Sequence, residues 1–431
     1  MVEIREVRRP IWSRFDFKVV ILAALCAAIF AVFIESSLSL YLGPVIALGM
    51  VYLFFNGYME LITAIIVVAN DALGTILFGS ISFHYLLLLM VVLNIFLEKR
   101  FSKTDLIICL VATAFALQLY AVGFLDMRTV IYSMSFVLAL VNVEREEKSM
   151  TMFFRGVILA VGLIALHACV TGGVEFYELN EYSNEVIRRG ILGVGIGDSN
   201  YSSFLLCIGL ICLWCERKLH WSFKLVLTGM ILYSLMITLS ISGLLALAII
   251  LLVSVLFSKR KGKAFLIVLI VVLIAVLFFS EYVGLPEELR NETLDGYINR
   301  VMMKYESFLE GNYSALTTNR TDLAESYTNY IFEEQSVWGM LFGGNSIDAL
   351  NGKIPHNTYL GVLLQFGCFG AIAFLGWVLR RAWKLFVARK PKPWGRQQYL
   401  LLKVLCLFMA MNLSFYDGSL WALWFYFLVA F

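Results

Sequence analysis

The chain predicts an all-α polytopic membrane protein, with about 12–14 transmembrane helices and a helical extracytoplasmic cap. Three observations predict it. Hydrophobic residues make up 61% of the 431 positions and charged residues 15%. Apolar runs recur at the roughly 20 residues a helix needs to cross about 30 Å of hydrocarbon, where every backbone polar group must be satisfied within its own segment. The basic residues are also sorted: 26 of the 34 Lys and Arg fall in alternate connecting segments. This composition excludes an ordinary soluble domain, and the turn-rich alternation of a membrane barrel is absent.

In order, spans are predicted at about 18–35, 37–55, 58–78, 81–97, 105–124, 128–143, 154–171, 200–215, 221–240, 241–257, 264–280, 357–387, 398–416 and 418–431. With the N-terminus in the cytoplasm, the inner segments hold the start up to Lys18, then Lys99 to Lys103, and Arg145 to Arg155. They also hold Arg217 to Lys224, Lys259 to Lys263, and Arg380 to Lys403. The positive-inside rule then places both termini in the cytoplasm. The chain divides into a bundle over 1–280 with an outer loop at about 172–199, a large outer loop over 281–356, and C-terminal helices over 357–431. The large loop holds twelve acidic and five basic residues. Helical periodicity over Pro286–Leu309 and Thr317–Trp338, ended by Gly343-Gly344, predicts a helical cap.

Neither large loop carries any of the eight cysteines, which excludes a disulfide-stapled outer domain. Cys212-Leu213-Trp214-Cys215 has the spacing of a redox or zinc half-site, but no second cysteine pair lies near it in sequence, so a structural role is expected. No cleavable leader is expected from the basic start, which runs straight into a full-length span. The net charge of +3 says little about partners because charge is sorted by loop; no nucleic-acid partner is expected.

Candidate chemistry collects on the outer side. Among four histidines, His84 and His167 lie inside apolar runs and read as packed rings, while His220 reads as solvated. His356 instead stands where the longest polar segment meets a long apolar helix, followed by Asn357 as a predicted helix cap. The positive end of that helix disfavours imidazolium, and a neutral imidazole at a membrane surface is a competent base for a sugar hydroxyl. Cations outside run against the sorting rule. Arg290, Arg300 and Lys304 are expected to pair with acidic neighbours. Arg188 and Arg189, in a Gly-rich stretch leading to Asp198-Ser199-Asn200, are placed to clamp phosphate oxygens. So is Arg320, at a helix start in Thr317-Thr318-Asn319-Arg320-Thr321-Asp322.

His356-Asn357, nine residues, then Gly367-Cys368-Phe369-Gly370 resembles the signature of the O-antigen ligase and O-antigen polymerase superfamily. Other parts follow in the family's order: Arg188 or Arg189 before Asp198-Ser199-Asn200, then Arg320 before Phe342-Gly343-Gly344. The resemblance covers roughly residues 185 to 400. One element departs from it: where many members carry a Ser-Arg-Gly-like sequence, this chain reads Thr238-Leu239-Ser240-Ile241-Ser242-Gly243 and has no arginine.

The resemblance implies a GT-C-like, metal-independent, inverting glycosyltransferase without cofactors, in a bacterial inner membrane and with its active site on the outer face. The implied donor is an undecaprenyl-pyrophosphate-linked glycan, and the partners are a glycan acceptor, the lipid bilayer and a chain-length regulator protein. His356 would be the base, Arg188, Arg189 and Arg320 would hold the pyrophosphate, and Asn357 would support His356. Gly361, Gly367 and Gly370 are expected inside the helix, where they would allow close helix packing.

Polymerase and ligase share these motifs. A polymerase extends a lipid-linked repeat unit, whereas a ligase transfers the glycan to lipid A core or another acceptor. The acidic outer loops and moderate cap favour the polymerase. A transporter of the same lipids would instead need paired charges near mid-membrane, yet Glu35, Asp71, Asp105, Asp126 and Asp417 all fall near predicted span ends.

Overall fold

The structure is a computed structural model. It describes residues 17–69, 83–98, 102–121, 127–143, 147–172, 174–178, 186–190, 199–216, 218–238, 240–256, 292–312, 320–343, 356–387 and 396–411, with isolated positions at 262, 413, 423, 424 and 427. Apolar runs fold into α1 (Phe17–Ile34), α2 (Ser39–Phe55, with Pro44 inside it), α3 (Met59–Val68) and α4 (Phe83–Glu98). α5 (Lys103–Ala121), α6 (Met127–Val143) and α7 (Glu147–Thr171) follow. Next come an antiparallel ribbon of β1 (Val174–Glu178) and β2 (Val186–Gly190), then α8 (Ser199–Cys215), α9 (Trp221–Ile237) and α10 (Ile241–Leu256). The segment predicted as a cap contains α11 (Glu292–Leu309), α12 (Arg320–Asn329) and α13 (Val337–Phe342), and is called the cap below. α14 (Thr358–Val387) and α15 (Arg396–Met409) complete the described helices.

Three helical stretches are long and apolar enough to cross a membrane: Ser36–Phe55, Ser149–Thr171 and Thr358–Arg380. The other apolar helices among the described residues run from 10 to 17 residues. Helices occupy the predicted spans wherever those fall on described residues. The predicted spans at 264–280 and 418–431 and the continuation of 58–78 beyond 69 lie outside them, isolated positions apart.

Two local predictions are corrected. The outer segment at 172–199, predicted as a loop, contains the ribbon: Val-Glu-Phe-Tyr-Glu and Val-Ile-Arg-Arg-Gly are rich in β-branched and aromatic residues and pair from Val174↔Gly190 to Glu178↔Val186. The single cap helix predicted over Thr317–Trp338 is divided. It passes through a π turn (Tyr330–Glu334), goes extended at Gln335, and restarts where Ser336 Oγ accepts the Gly339 N–H at 3.1 Å. The serine offers the backbone a cap that competes with continuing the helix.

Contacts define two ends of the bundle. At one, Glu216, just past α8, accepts from Arg155 of α7 at 3.0 Å. Phe154 stacks on Phe427 at 6.5 Å, and Phe427 O accepts from buried Lys403 in the middle of α15. The start of α3 belongs to this end too, because Gly156 lies against Ala64 and Leu61 so closely that a Cβ would come within 2.7 Å of the Leu61 carbonyl. Burial would raise the Glu216 carboxyl, but the Arg155 hydrogen bond, the Lys218 amide and both cationic charges outweigh it and hold it below the usual range.

At the other end, about 25 Å away along the 17 residues of α8, the helix starts and stops are polar. Asn200 at the start of α8 accepts from Ser240 Oγ at 2.8 Å. Thr358 at the start of α14 donates its N–H to Ala410 O, at the end of α15. This second end carries the candidate site.

Candidate functional site

Asn357 is the residue from which the site is built. Its side-chain oxygen accepts the Tyr359 N–H at 2.9 Å and the Leu360 N–H at 3.2 Å, which caps α14 as the sequence predicts. The first turn is then tied to α15 from three directions. Thr358 N–H donates to Ala410 O at 2.8 Å, Thr358 Oγ1 to Leu413 O at 2.5 Å, and Tyr359 Oη to Leu407 O at 2.8 Å. Thr358 is fully buried, while His356, two residues before it, is exposed. A rigid helix start thus presents an exposed imidazole.

The cap packs on this same helix. Tyr327 and Ile331 bury themselves against Leu364, flanked by Leu323, Tyr330, Leu360 and Leu363. Removing a side chain such as Ile331 from water contributes roughly 1.5–3 kcal/mol. Burial also pushes the Tyr327 hydroxyl up to about 12, so it stays a neutral phenol. Arg320 is the first residue of α12, about 10 Å up the helix axis from Tyr327.

A second clasp lies lower, and here a prediction is corrected. Gly367 does not sit in regular helix: with φ 63° and ψ −173° it breaks α14. It faces Gly343, the C-cap of α13, at φ 71°. A Cβ on Gly343 would collide with the Gln365 carbonyl, and one on Gly367 with the Leu341 carbonyl. The two glycines let backbone meet backbone, in conformations that only glycine adopts without cost. Gly367, the first glycine of the Gly-x-x-Gly element, is therefore a docking point for α13.

Arg188 and Arg189 occupy adjacent positions of β2, opposite Phe176 and Glu175. Strand geometry places neighbouring positions on opposite faces of the ribbon. β2 packs on α8, whose start lies at the His356 end. The elements carrying Arg188, Arg189, Arg320 and His356 therefore gather at one end of the molecule, with direct packing of α12 on α14 and of β2 on α8.

Sequence reasoning missed the buried polar junction beside this site. Ser240 Oγ donates to Asn200 Oδ1 and accepts the Gly243 N–H at 3.0 Å, capping α10. Ser203 Oγ donates to Ser199 O at 2.7 Å and lies 3.1 Å from Thr238 Oγ1. Thr238-to-Gly243, the stretch that departs from the family pattern, is thus the seam that joins α8 to α10. The signal was available, since Ser240 stands three residues before Gly243 at a helix start.

The other singled-out residues read structurally. His84 stacks on Tyr132 at 4.1 Å, His167 Nδ1 lies 3.5 Å from Thr171 Oγ1, and His220 caps α9. Asp105 accepts the Ser102 N–H at 2.7 Å in a helix-start box. Lys403, read from sequence as a cytoplasmic cation, is instead 2% exposed and donates to Phe427 O at 3.2 Å. Asp71, Asp126 and Asp198 lie outside the described residues. A cavity of about 200 Å³, lined in part by Phe54, Glu60 and Asn94, lies at the Glu216 end and is unrelated to this junction. Among the described residues, no three His, Cys, Asp or Glu side chains group as a metal site would require.

The class that the fold defines is a helical protein, with three helices long and apolar enough to cross a membrane. Compared with known proteins, the chain matches no family model, no curated sequence and no solved structure.

Proposed function

We propose that the protein is a membrane glycosyltransferase that polymerises undecaprenyl-pyrophosphate-linked oligosaccharide repeat units, with inversion at the anomeric carbon and without a metal. The observation that carries this reading is the exposed His356, held at a rigid capped helix start onto which the Arg320-bearing cap is packed. In this reading the Glu216 end is cytoplasmic, the His356 end faces outward from a bacterial inner membrane, and the bundle with its cap is GT-C-like. The remaining apolar helices also cross the bilayer, for about 12–14 spans in all.

The acceptor sugar hydroxyl gives its proton to the His356 imidazole. Its oxygen forms the new bond to the anomeric carbon as the bond to the lipid pyrophosphate breaks on the opposite face. Negative charge grows on the departing pyrophosphate, and Arg320 with one of Arg188 and Arg189 balances it. Because the two β2 arginines occupy opposite faces of the ribbon, a single donor is served by one of them. Asn357 positions the base without touching substrate.

The test is purified protein in nanodiscs supplied with a lipid-linked repeat unit alone. Longer chains on the lipid are expected, and their loss in both His356→Ala and Arg320→Ala. Full-length chains from either variant would sink the mechanism. Product that forms only after a separate acceptor is added would replace polymerase by ligase.

A further inference from the structure

We infer that α13 is a re-entrant helix: Val337–Phe342 lies within the outer-leaflet hydrocarbon against α14, and its exposed face contacts lipid acyl chains. The inference rests on α14 crossing the membrane and on no enzymatic activity.

The cap does not stop at the level of His356. It descends along α14, with Ile331 packed by Leu360, Leu363 and Leu364, then Gly343 against Gln365 and Gly367. The Phe342 ring ends 5.5 Å from that of Phe369. Residues 365 to 369 lie seven to eleven positions past Thr358, about 11–16 Å along the helix.

The length of α14 decides where the membrane lies. Its apolar stretch runs for 23 residues, from Thr358 to Arg380, in two helical pieces that meet at Gly367; together they supply at most about 34 Å, enough for the hydrocarbon. Were α13 in water, only residues 370 to 379 would remain before Arg380 and Arg381, about 15 Å against the roughly 30 Å required. α13 therefore shares the bilayer with α14.

The segment is built for that environment. Val337-Trp338-Gly339-Met340-Leu341-Phe342 has no charge. Each end carries a bond from within the segment: Ser336 Oγ accepts from Gly339, and the Gly343 N–H donates to Gly339 O. Val337, Trp338 and Phe342 are 66%, 72% and 56% exposed, which would be costly in water. Trp338 stacks on Phe342, and this surface continues into exposed Phe369 and Ile372 of α14. Exposed Glu333 and Glu334, with only Gln335 and Ser336 between them and Val337, mark where the chain leaves water.

The experiment replaces Trp338 by photoreactive p-benzoylphenylalanine in the full-length protein, an aromatic-for-aromatic change. The variant is irradiated in nanodiscs of radiolabelled phosphatidylglycerol, beside a control with the same probe at Glu310, the exposed end of α11. A several-fold excess of acyl-chain adduct at 338 over 310 is expected, with the same result at Phe342. Equal lipid labelling at 338 and 310 would place α13 in water and overturn the inference. So would a dominant protein–protein adduct, which would show that a second copy of the chain covers this face.

Discussion

Two polar junctions sit at the same end of the bundle and use the same chemistry to opposite effect. At Asn200–Ser240, a side-chain oxygen starts one helix while an amide accepts its proton from the neighbour, and everything is buried. At His356–Asn357 an amide oxygen caps the helix in the same way, yet the residue before it is exposed. In the closed junction, the bond from Ser240 to Asn200 ties the start of α10 to the start of α8. The open one is equally rigid but leaves an ionisable ring facing outward. The difference between a seam and a candidate site is one uncapped position, not the number of polar groups.

The comparison breaks most sharply through activity. His356→Ala is expected to lower chain elongation by about 10²–10⁴-fold, the range for loss of a general base. Thermal unfolding of the purified protein should change little, because His356 is exposed and lies outside the buried core. A variant that elongates normally, or that loses stability along with activity, would make the open junction a second seam.

The glycine clasp comes next. Gly367→Ala must place a side chain at positive φ and against the Leu341 carbonyl. About 2–5 kcal/mol of cap docking is expected to be lost. Limited proteolysis between α13 and α14 reads this directly, and rapid cleavage is expected in the variant alone. Wild-type resistance in Gly367→Ala would mean that the cap is held by Tyr327 and Ile331 without the clasp.

The closed junction should answer in the reverse sense to His356. Ser240→Ala removes one bond to Asn200 and the cap of Gly243, which costs about 1–3 kcal/mol. Elongation by the protein that remains folded should match wild type. A specific loss of turnover at unchanged stability would show that substrate reaches this junction and that it is not a seam.

Helix positions and the Asn357 cap were legible because each depends on local sequence: uninterrupted apolar runs, and an amide before Thr-Tyr-Leu. What escaped depends on partners distant in the chain. Gly367 reads as one more glycine in an apolar helix until Gly343, 24 positions earlier, is seen pressed against it. Lys403 reads as an inner-surface cation because its acceptor, the Phe427 carbonyl, is a backbone atom that no composition reveals. The ribbon around Arg188 and Arg189 was short enough to pass for loop. The resemblance to O-antigen polymerases and ligases rests on motif spacing alone; what the structure shows of those residues is that Gly367 meets Gly343 in a backbone clasp.

Asn357 gives the smallest effect and separates support from substrate contact. Its oxygen accepts two amide protons, so Asn357→Ala should cost about 1 kcal/mol. It should also lower turnover by much less than His356→Ala, since three ties to α15 still fix the helix start. Asn357→Asp keeps the acceptor and adds a negative charge that the helix start favours. It should restore stability and, if Asn357 only positions His356, turnover as well. Stability regained without turnover would assign the Asn357 amide N–H₂ a direct contact with substrate, moving it from the scaffold of the open junction into its chemistry.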